Sequence, residues 1–170
     1  LSKIYDFIWN SYCDWYIELC KARLQSEGET AQNARQVLIY VLDKILKLLH
    51  PFMPFITEEI WQTIPHDTDG KTVMLEKYPE YDPSLDFPSE AEEMMKVMEA
   101  ITAIRTQRNE MNVPPSKKAK LFIATAIPET FSNGEQFFKK LASASEVEIS
   151  DSFDIDGAVT VVTSDAKIYI

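Results

Sequence analysis

Two histidines, two cysteines and a few neighbouring carboxylates have the strongest claim to catalysis in this 170-residue chain, and their spacing supports none of it. Asp14 and Glu18 lie one helical turn apart and Glu58 and Glu59 are adjacent, arrangements that on a helix surface lead to solvated or salt-bridged side chains. His50 and His66 are not spaced to join Cys13 and Cys20 in a zinc site, and His50, next to Pro51, reads as a helix-end residue. Cys13 and Cys20 fall on one helical stretch, separated by roughly 10 Å at about 1.5 Å per residue, which is beyond disulfide reach. They read as small core residues. With no glycine-rich phosphate loop either, no catalytic residue, metal ligand or cofactor-binding residue is expected. What remains is the chemistry of cations. Lys21, Arg23, Arg35, Lys44, Lys47, Arg105, Arg108, Lys117 and Lys118 are candidates for phosphate contact or, for the arginines, for stacking on unpaired bases. Two plainer readings stand beside this one. Tyr40, Lys44 and Lys47 form a row that also suits a solvated helix face, and Arg105 and Arg108 end a helix whose dipole favours positive charge.

The net charge of −10 argues against a polyanionic partner only if it is evenly spread. It is not. Residues 1–50 are neutral overall, residues 51–100 carry −9, residues 101–125 carry +4 and residues 126–170 carry −5. The first helices and the segment starting near Arg105 thus remain free to face RNA. No apolar run reaches the eighteen or so residues of a membrane span, and Asp6, Asn10 and Asp14 interrupt the amino-terminal apolar residues, unlike a signal peptide. The expected compartment is the cytoplasm.

Helices must position most of these cations. Residues 2–26 carry two adjacent apolar stripes, Ile4, Phe7, Ile8, Trp15 and Leu19 beside Tyr5, Trp9, Tyr12, Tyr16 and Cys20, which predicts a central helix apolar over most of its circumference. Gly28 suits a left-handed turn, and Thr30 is the expected N-cap of a second helix running to Leu49, antiparallel to the first because the connection is short. Pro51 and Pro54 then stop one helix and start another, to about Ile64. Leu49, Phe52, Phe55, Ile60 and Trp61 make this corner a predicted buried one. Residues 65–88 read as irregular, with an extended piece at Thr72–Leu75 and anchors at Met74, Tyr78 and Tyr81. A capping box at Ser89–Glu92 opens a helix to about Arg108. From Lys120 the period changes from 3.6 to 2, predicting strands at Lys120–Thr125 and Val147–Ile149 around a helix near Phe131–Ala142, then a hairpin of Ala158–Thr163 with Ile168–Ile170. The expected fold is mainly α: an antiparallel helical bundle over residues 1–115, followed by a small α/β appendage over residues 116–170.

Three separated segments carry a family resemblance. Tyr5–Asn10 with Cys13-Asp14-Trp15-Tyr16-Ile17-Glu18, then Leu49–Trp61, then Asn109–Lys118 resemble, in the same order, the anticodon-binding region of bacterial class I aminoacyl-tRNA synthetases of the valine, isoleucine and leucine group. The Cys13–Glu18 and Asn112–Lys118 runs are similar to the valine-specific family in particular, while the proline corner is shared with its relatives. The resemblance implies a fragment that lacks the HIGH-type and KMSKS-type signatures of ATP binding and cannot itself activate valine. ATP and Mg belong to the catalytic domain of the parent enzyme. The implied partners are tRNA(Val) and the catalytic and editing domains of the same polypeptide. An upstream helix and a downstream coiled coil of the family have no counterpart here, which implies exposed apolar surface where they would pack. The alternatives are a stand-alone helical protein-interaction module without RNA binding, and the equivalent region of an isoleucyl-tRNA synthetase.

Overall fold

The first helix begins as α1 (Ser2–Asp6), passes without a break into wider π-helical turns over Phe7–Ile17, and continues as α2 (Glu18–Leu24). The protein is represented here by a computed structural model that describes residues 1–25, 27–66 and 71–170. Ser26, the expected last residue of this helix, and positions 67–70 of the expected irregular connection lie outside the described residues. The π-helical winding departs from the 3.6 period, so the two apolar stripes do not both turn inward. Tyr12 and Cys20 are buried, whereas Tyr5, Phe7 and Trp9 remain exposed. The expectation of a helix covered on most sides is not met within its own unit.

Packing divides the chain into two units, Leu1–Pro83 and Ser84–Ile170. In the first, Gly28 takes φ +90°, which any side chain would resist, and turns the chain into α3 (Glu29–Leu49). Thr30 lies inside that helix and does not cap it. The Tyr12 hydroxyl donates to the Leu38 carbonyl at 3.0 Å, tying the first helix to α3. At the proline corner the amides of Phe52 and Met53 both donate to the Leu49 carbonyl, and α4 (Pro54–Thr63) starts on Pro54, whose missing N–H costs nothing in a first turn.

The corner is less buried than its composition implies. Trp61 is fully enclosed at 0% exposure, but Leu49 and Ile60 are half-buried and Phe52 and Phe55 stand 55% and 90% exposed. A small core of Leu46, Trp61 and Val73, with Leu42, Ile60 and Ile64 around it, holds α3, α4 and the following segment together. That segment forms a 3₁₀ turn at Val73–Leu75 in place of the expected extended piece. Val73 is its buried anchor, while Met74, Tyr78 and Tyr81 are exposed. Polar bonds complete the attachment: Thr72 Oγ1 and the Val73 amide donate to the Glu58 carboxylate at 2.8 and 3.1 Å.

In the second unit α5 (Pro88–Glu110) begins with Pro88 in its first turn and Phe87 as N-cap, so the Ser89 capping box does not form. Its other end closes in a Schellman motif. Asn112, at φ 54°, takes the left-handed position, its amide bonds the Asn109 carbonyl, and the Val113 amide bonds the Arg108 carbonyl, both at 2.9 Å. β1 (Ala119–Thr125) leads through α6 (Pro128–Asn133) and α7 (Glu135–Leu141) to β2 (Ala144–Ser150), parallel to β1. The single helix expected near Phe131–Ala142 is thus two, divided at Gly134, where an added Cβ would lie 3.0 Å from both Val97 methyls. β3 (Thr160–Val162) and β4 (Ala166–Tyr169) form the expected hairpin, and β4 joins β1 antiparallel, giving the order β2-β1-β4-β3.

One sheet face, Leu121, Ile123, Val161 and Ile168, is buried beneath helices whose interior residues are Ile101, Ile104, Phe131 and Phe138. The long helix α5 therefore packs with the sheet, and the packing division falls at 83/84, whereas the change of sequence period falls near 115. Period reports the type of each element; it carries no information about which elements pack together. Overall the chain is mainly helical with a four-stranded mixed sheet.

Candidate nucleic-acid interface

The nine candidate cations fall in two groups, one in each unit. In the first unit Lys21 pairs with Glu18 one turn away at 2.5 Å, and both side chains are exposed. Arg23 lies near enough to Tyr16 for its charge to act on the phenol. Burial and a hydrogen bond with Cys20 nevertheless push that phenol up to about 12, with Arg23 opposing. Arg35, also exposed, reaches the Leu24 carbonyl at 3.5 Å, and Lys44 sits 5.0 Å above the Tyr40 ring centre, 4.0 Å from Asp43. The expected row of Tyr40, Lys44 and Lys47 is therefore only partly a surface row.

Lys47 belongs to the scaffold. Its side chain is 12% exposed and its ammonium pairs with Asp43 at 2.9 Å and Glu76 at 3.1 Å. Burial by itself would lower its pKa, but the hydrogen bonds to both carboxylates outweigh it and the net shift is upward. Asp43 in turn accepts the Trp61 indole N–H at 2.9 Å, and His66 stacks on the same indole with ring centres 3.8 Å apart. His50 has a structural partner as well. His50 Nδ1 lies 2.8 Å from the Thr57 hydroxyl oxygen, which is itself 2.8 Å from the Met53 carbonyl.

In the second unit Arg105 is exposed on the last turns of α5, and Lys117 and Lys118 are exposed in the loop before β1. Among the described residues none of these three enters an ion pair. Arg108 differs: it is 5% exposed, and its Nη2 donates to the carbonyls of Lys117 and, at 3.5 Å, Pro114. The arginine that reads in sequence like its neighbour Arg105 is an interior group. The signal for it is spacing: Arg108 follows Ile101 and Ile104 at i+7 and i+4 and continues the buried stripe of Val97, Ile101 and Ile104, whereas Arg105 lies off it; the helix dipole, which both arginines suit, does not separate them. Glu58, which in sequence reads like Glu59 as a solvated or salt-bridged carboxylate, accepts bonds from Gln62, Thr72 and Val73, which hold its pKa below the usual carboxylate value.

Among the described residues no group of three or more His, Cys, Asp and Glu side chains is arranged to hold a metal ion, and no helix is long and apolar enough to cross a membrane. Residues 1–123 match the family described as the anticodon-binding domain of tRNA ligase, and the chain belongs to that family. It is 49% identical over 173 aligned residues to a valine–tRNA ligase of Clostridium tetani, an alignment covering 99% of this chain and 19% of that protein. The valine–tRNA ligases of Clostridium acetobutylicum and Bacillus subtilis are 44% and 38% identical, over 99% and 98% of this chain and 20% and 19% of their own lengths. The chain thus spans about a fifth of the length of the curated relatives it matches.

Proposed function

We propose that the chain is the anticodon-binding region of a cytoplasmic valine–tRNA ligase. It helps to hold tRNA(Val) while the catalytic part of the same polypeptide, using ATP and Mg, joins valine to the acceptor end. The observation that carries this reading is the family match over residues 1–123 together with alignment to valine–tRNA ligases along nearly the whole chain. The match extends through α5 into β1, which supports treating residues 1–115 as one anticodon-binding part although α5 packs on the sheet. An antiparallel arrangement of the first helix and α3 is supported by the bonds from Arg35 to Leu24 and from Tyr12 to Leu38.

On this reading Lys21, Arg23, Arg35 and Lys44 of the first unit and Arg105, Lys117 and Lys118 of the second supply RNA contacts, while Lys47 and Arg108 shape the surfaces around them. The test is an anisotropy titration of a tRNA(Val) transcript with the 170-residue chain at several salt concentrations. Expected is micromolar or weaker binding whose logarithm falls with the logarithm of salt by roughly 0.7–0.9 for each phosphate contact. Charge reversal of Arg105, Lys117 and Lys118 should weaken it further and flatten the slope. Sub-micromolar binding indifferent to salt, or no effect of the reversals, would overturn the reading. The exposure of Phe52, Phe55 and Tyr81 favours a second reading, a protein-docking module. Under it the same reversals leave tRNA titrations unchanged.

A further inference from the structure

We infer that Arg108 acts as a positioning residue for RNA contact: it folds the Asn112–Lys118 loop so that Lys117 and Lys118 are presented together, and does not meet RNA itself. This rests on the reading of the chain as a tRNA-binding region. Three observations carry it. First, among the described residues Arg108 is the charged side chain that the fold buries, and it bonds neutral carbonyls of the loop. Second, residue 108 holds the loop at both ends. Its own carbonyl accepts from the Val113 amide that completes the Schellman motif, and its guanidinium donates to the carbonyls of Pro114 and Lys117. Third, Pro114 and Pro115 have no N–H, so this stretch has few donors of its own; the Lys117 amide spans it with a single bond to the Pro114 carbonyl at 3.0 Å.

Both carbonyls are met by one nitrogen, Nη2, at the tip of the guanidinium, one bond further along the side chain than a lysine ammonium reaches. Burying a cation without a carboxylate partner is costly, and it adds a third positive charge to a loop that already carries two exposed lysines. Without an anion outside, that grouping is self-repelling. With a phosphate backbone at Lys117 and Lys118, the same grouping is attractive. The geometry therefore fits a loop held ready for a polyanion more closely than it fits a simple helix terminus, which the Schellman bonds already complete.

The experiment is a double-mutant cycle read by anisotropy of a tRNA(Val) transcript across a salt series, using the 170-residue chain as wild type, Arg108→Met, Lys117→Gln/Lys118→Gln, and all three changes combined. Loss of two phosphate contacts should weaken binding about tenfold at moderate salt. Arg108→Met alone should approach that loss, and added to the lysine changes it should cost less than about twofold more, because coupled residues do not add. Multiplicative losses would mean that Arg108 touches RNA and would overturn the proposal. Hydrogen exchange at the Lys117 amide reads the loop without RNA: Arg108→Met should lose protection there, and retained protection would also overturn it. Should Arg108→Met not fold, Arg108→Lys, which keeps the charge but stops one bond short of the position of Nη2, takes its place in both measurements. Lysine changes that leave binding untouched overturn the loop as a docking element, whereas a wild-type chain with no salt-dependent binding removes the tRNA reading beneath it.

Discussion

Replacing Trp61 tests the core of the first unit most directly. The indole is fully enclosed between Leu46 and Val73, stacked by His66, and bonded through Nε1 to Asp43 at 2.9 Å. Trp61→Ala removes all of this and should cost about 3–5 kcal/mol. Trp61→Phe retains most of the apolar contact but loses the N–H donor, worth about 1 kcal/mol net, and leaves a gap where the second ring was. A total of about 1–2.5 kcal/mol follows, because Lys47 still holds the other Asp43 oxygen at 2.9 Å. In a unit of this size each kcal/mol moves the melting temperature by about 4–8 °C. The assay is urea unfolding followed by tryptophan fluorescence. All three tryptophans, Trp9, Trp15 and Trp61, lie in the first unit, so two reporters survive either substitution. Asp43→Asn combined with Trp61→Phe should cost less than the two single losses added, since both remove strength from one bond. A Trp61→Ala midpoint equal to wild type, or Trp61→Phe as damaging as Trp61→Ala, would refute the reasoning.

Two further outcomes are expected. Gly134→Ala places a methyl 3.0 Å from both Val97 methyls and should destabilise the second unit by about 1–3 kcal/mol; Val97→Ala in the same chain should recover part of that, as read by amide exchange in β1, and full additivity would contradict the packing. Acidification gives the other. The bond from Gln62 lowers the Glu58 pKa below its model-compound value of 4.5; burial, the next-largest influence, opposes it, and bonds from Thr72 and Val73 with the charge of His50 keep the net shift downward. A group whose folded pKa is depressed contributes stability above its unfolded pKa and loses it as pH falls through the folded one. Glu58→Gln should therefore flatten the loss of first-unit stability as pH drops below about 4.5, and an unchanged pH profile would show the carboxylate to be unimportant there.

The ends of helices were legible in sequence wherever the cause was local. Pro51 and Pro54 impose the break between α3 and α4 through their own geometry, Gly28 supplies the turn before α3, and alternation from Lys120 onward located the strands. Burial was not legible to the same degree, because it depends on which partner each apolar face finds. Phe55 and Trp61 are equally apolar neighbours on α4, yet one is 90% exposed and the other enclosed. Ser89 and Thr30 have the right chemistry for capping, but with Phe87 and Gly28 as the N-caps the helices start two residues earlier. The candidate cations were identified by type alone. Lys117 and Lys118 face solvent; Arg108 faces the interior because it continues the Val97, Ile101 and Ile104 stripe, a pattern the sequence carries, whereas Lys47 is drawn in by Glu76, a distant carboxylate that no local pattern reports.

The strand order β2-β1-β4-β3 also bears on how the chain behaves in crowded solution. Its two open margins are the places where a second molecule could add a strand. One margin, β3, is only three residues long and offers little ladder to copy. The other, β2, carries Glu146 and Glu148, both drawn to Lys120 on β1. An approaching copy of β2 would bring the same two carboxylates against them. That like-charge encounter, together with the brevity of β3, lets the chain display a four-stranded sheet without inviting cross-β growth.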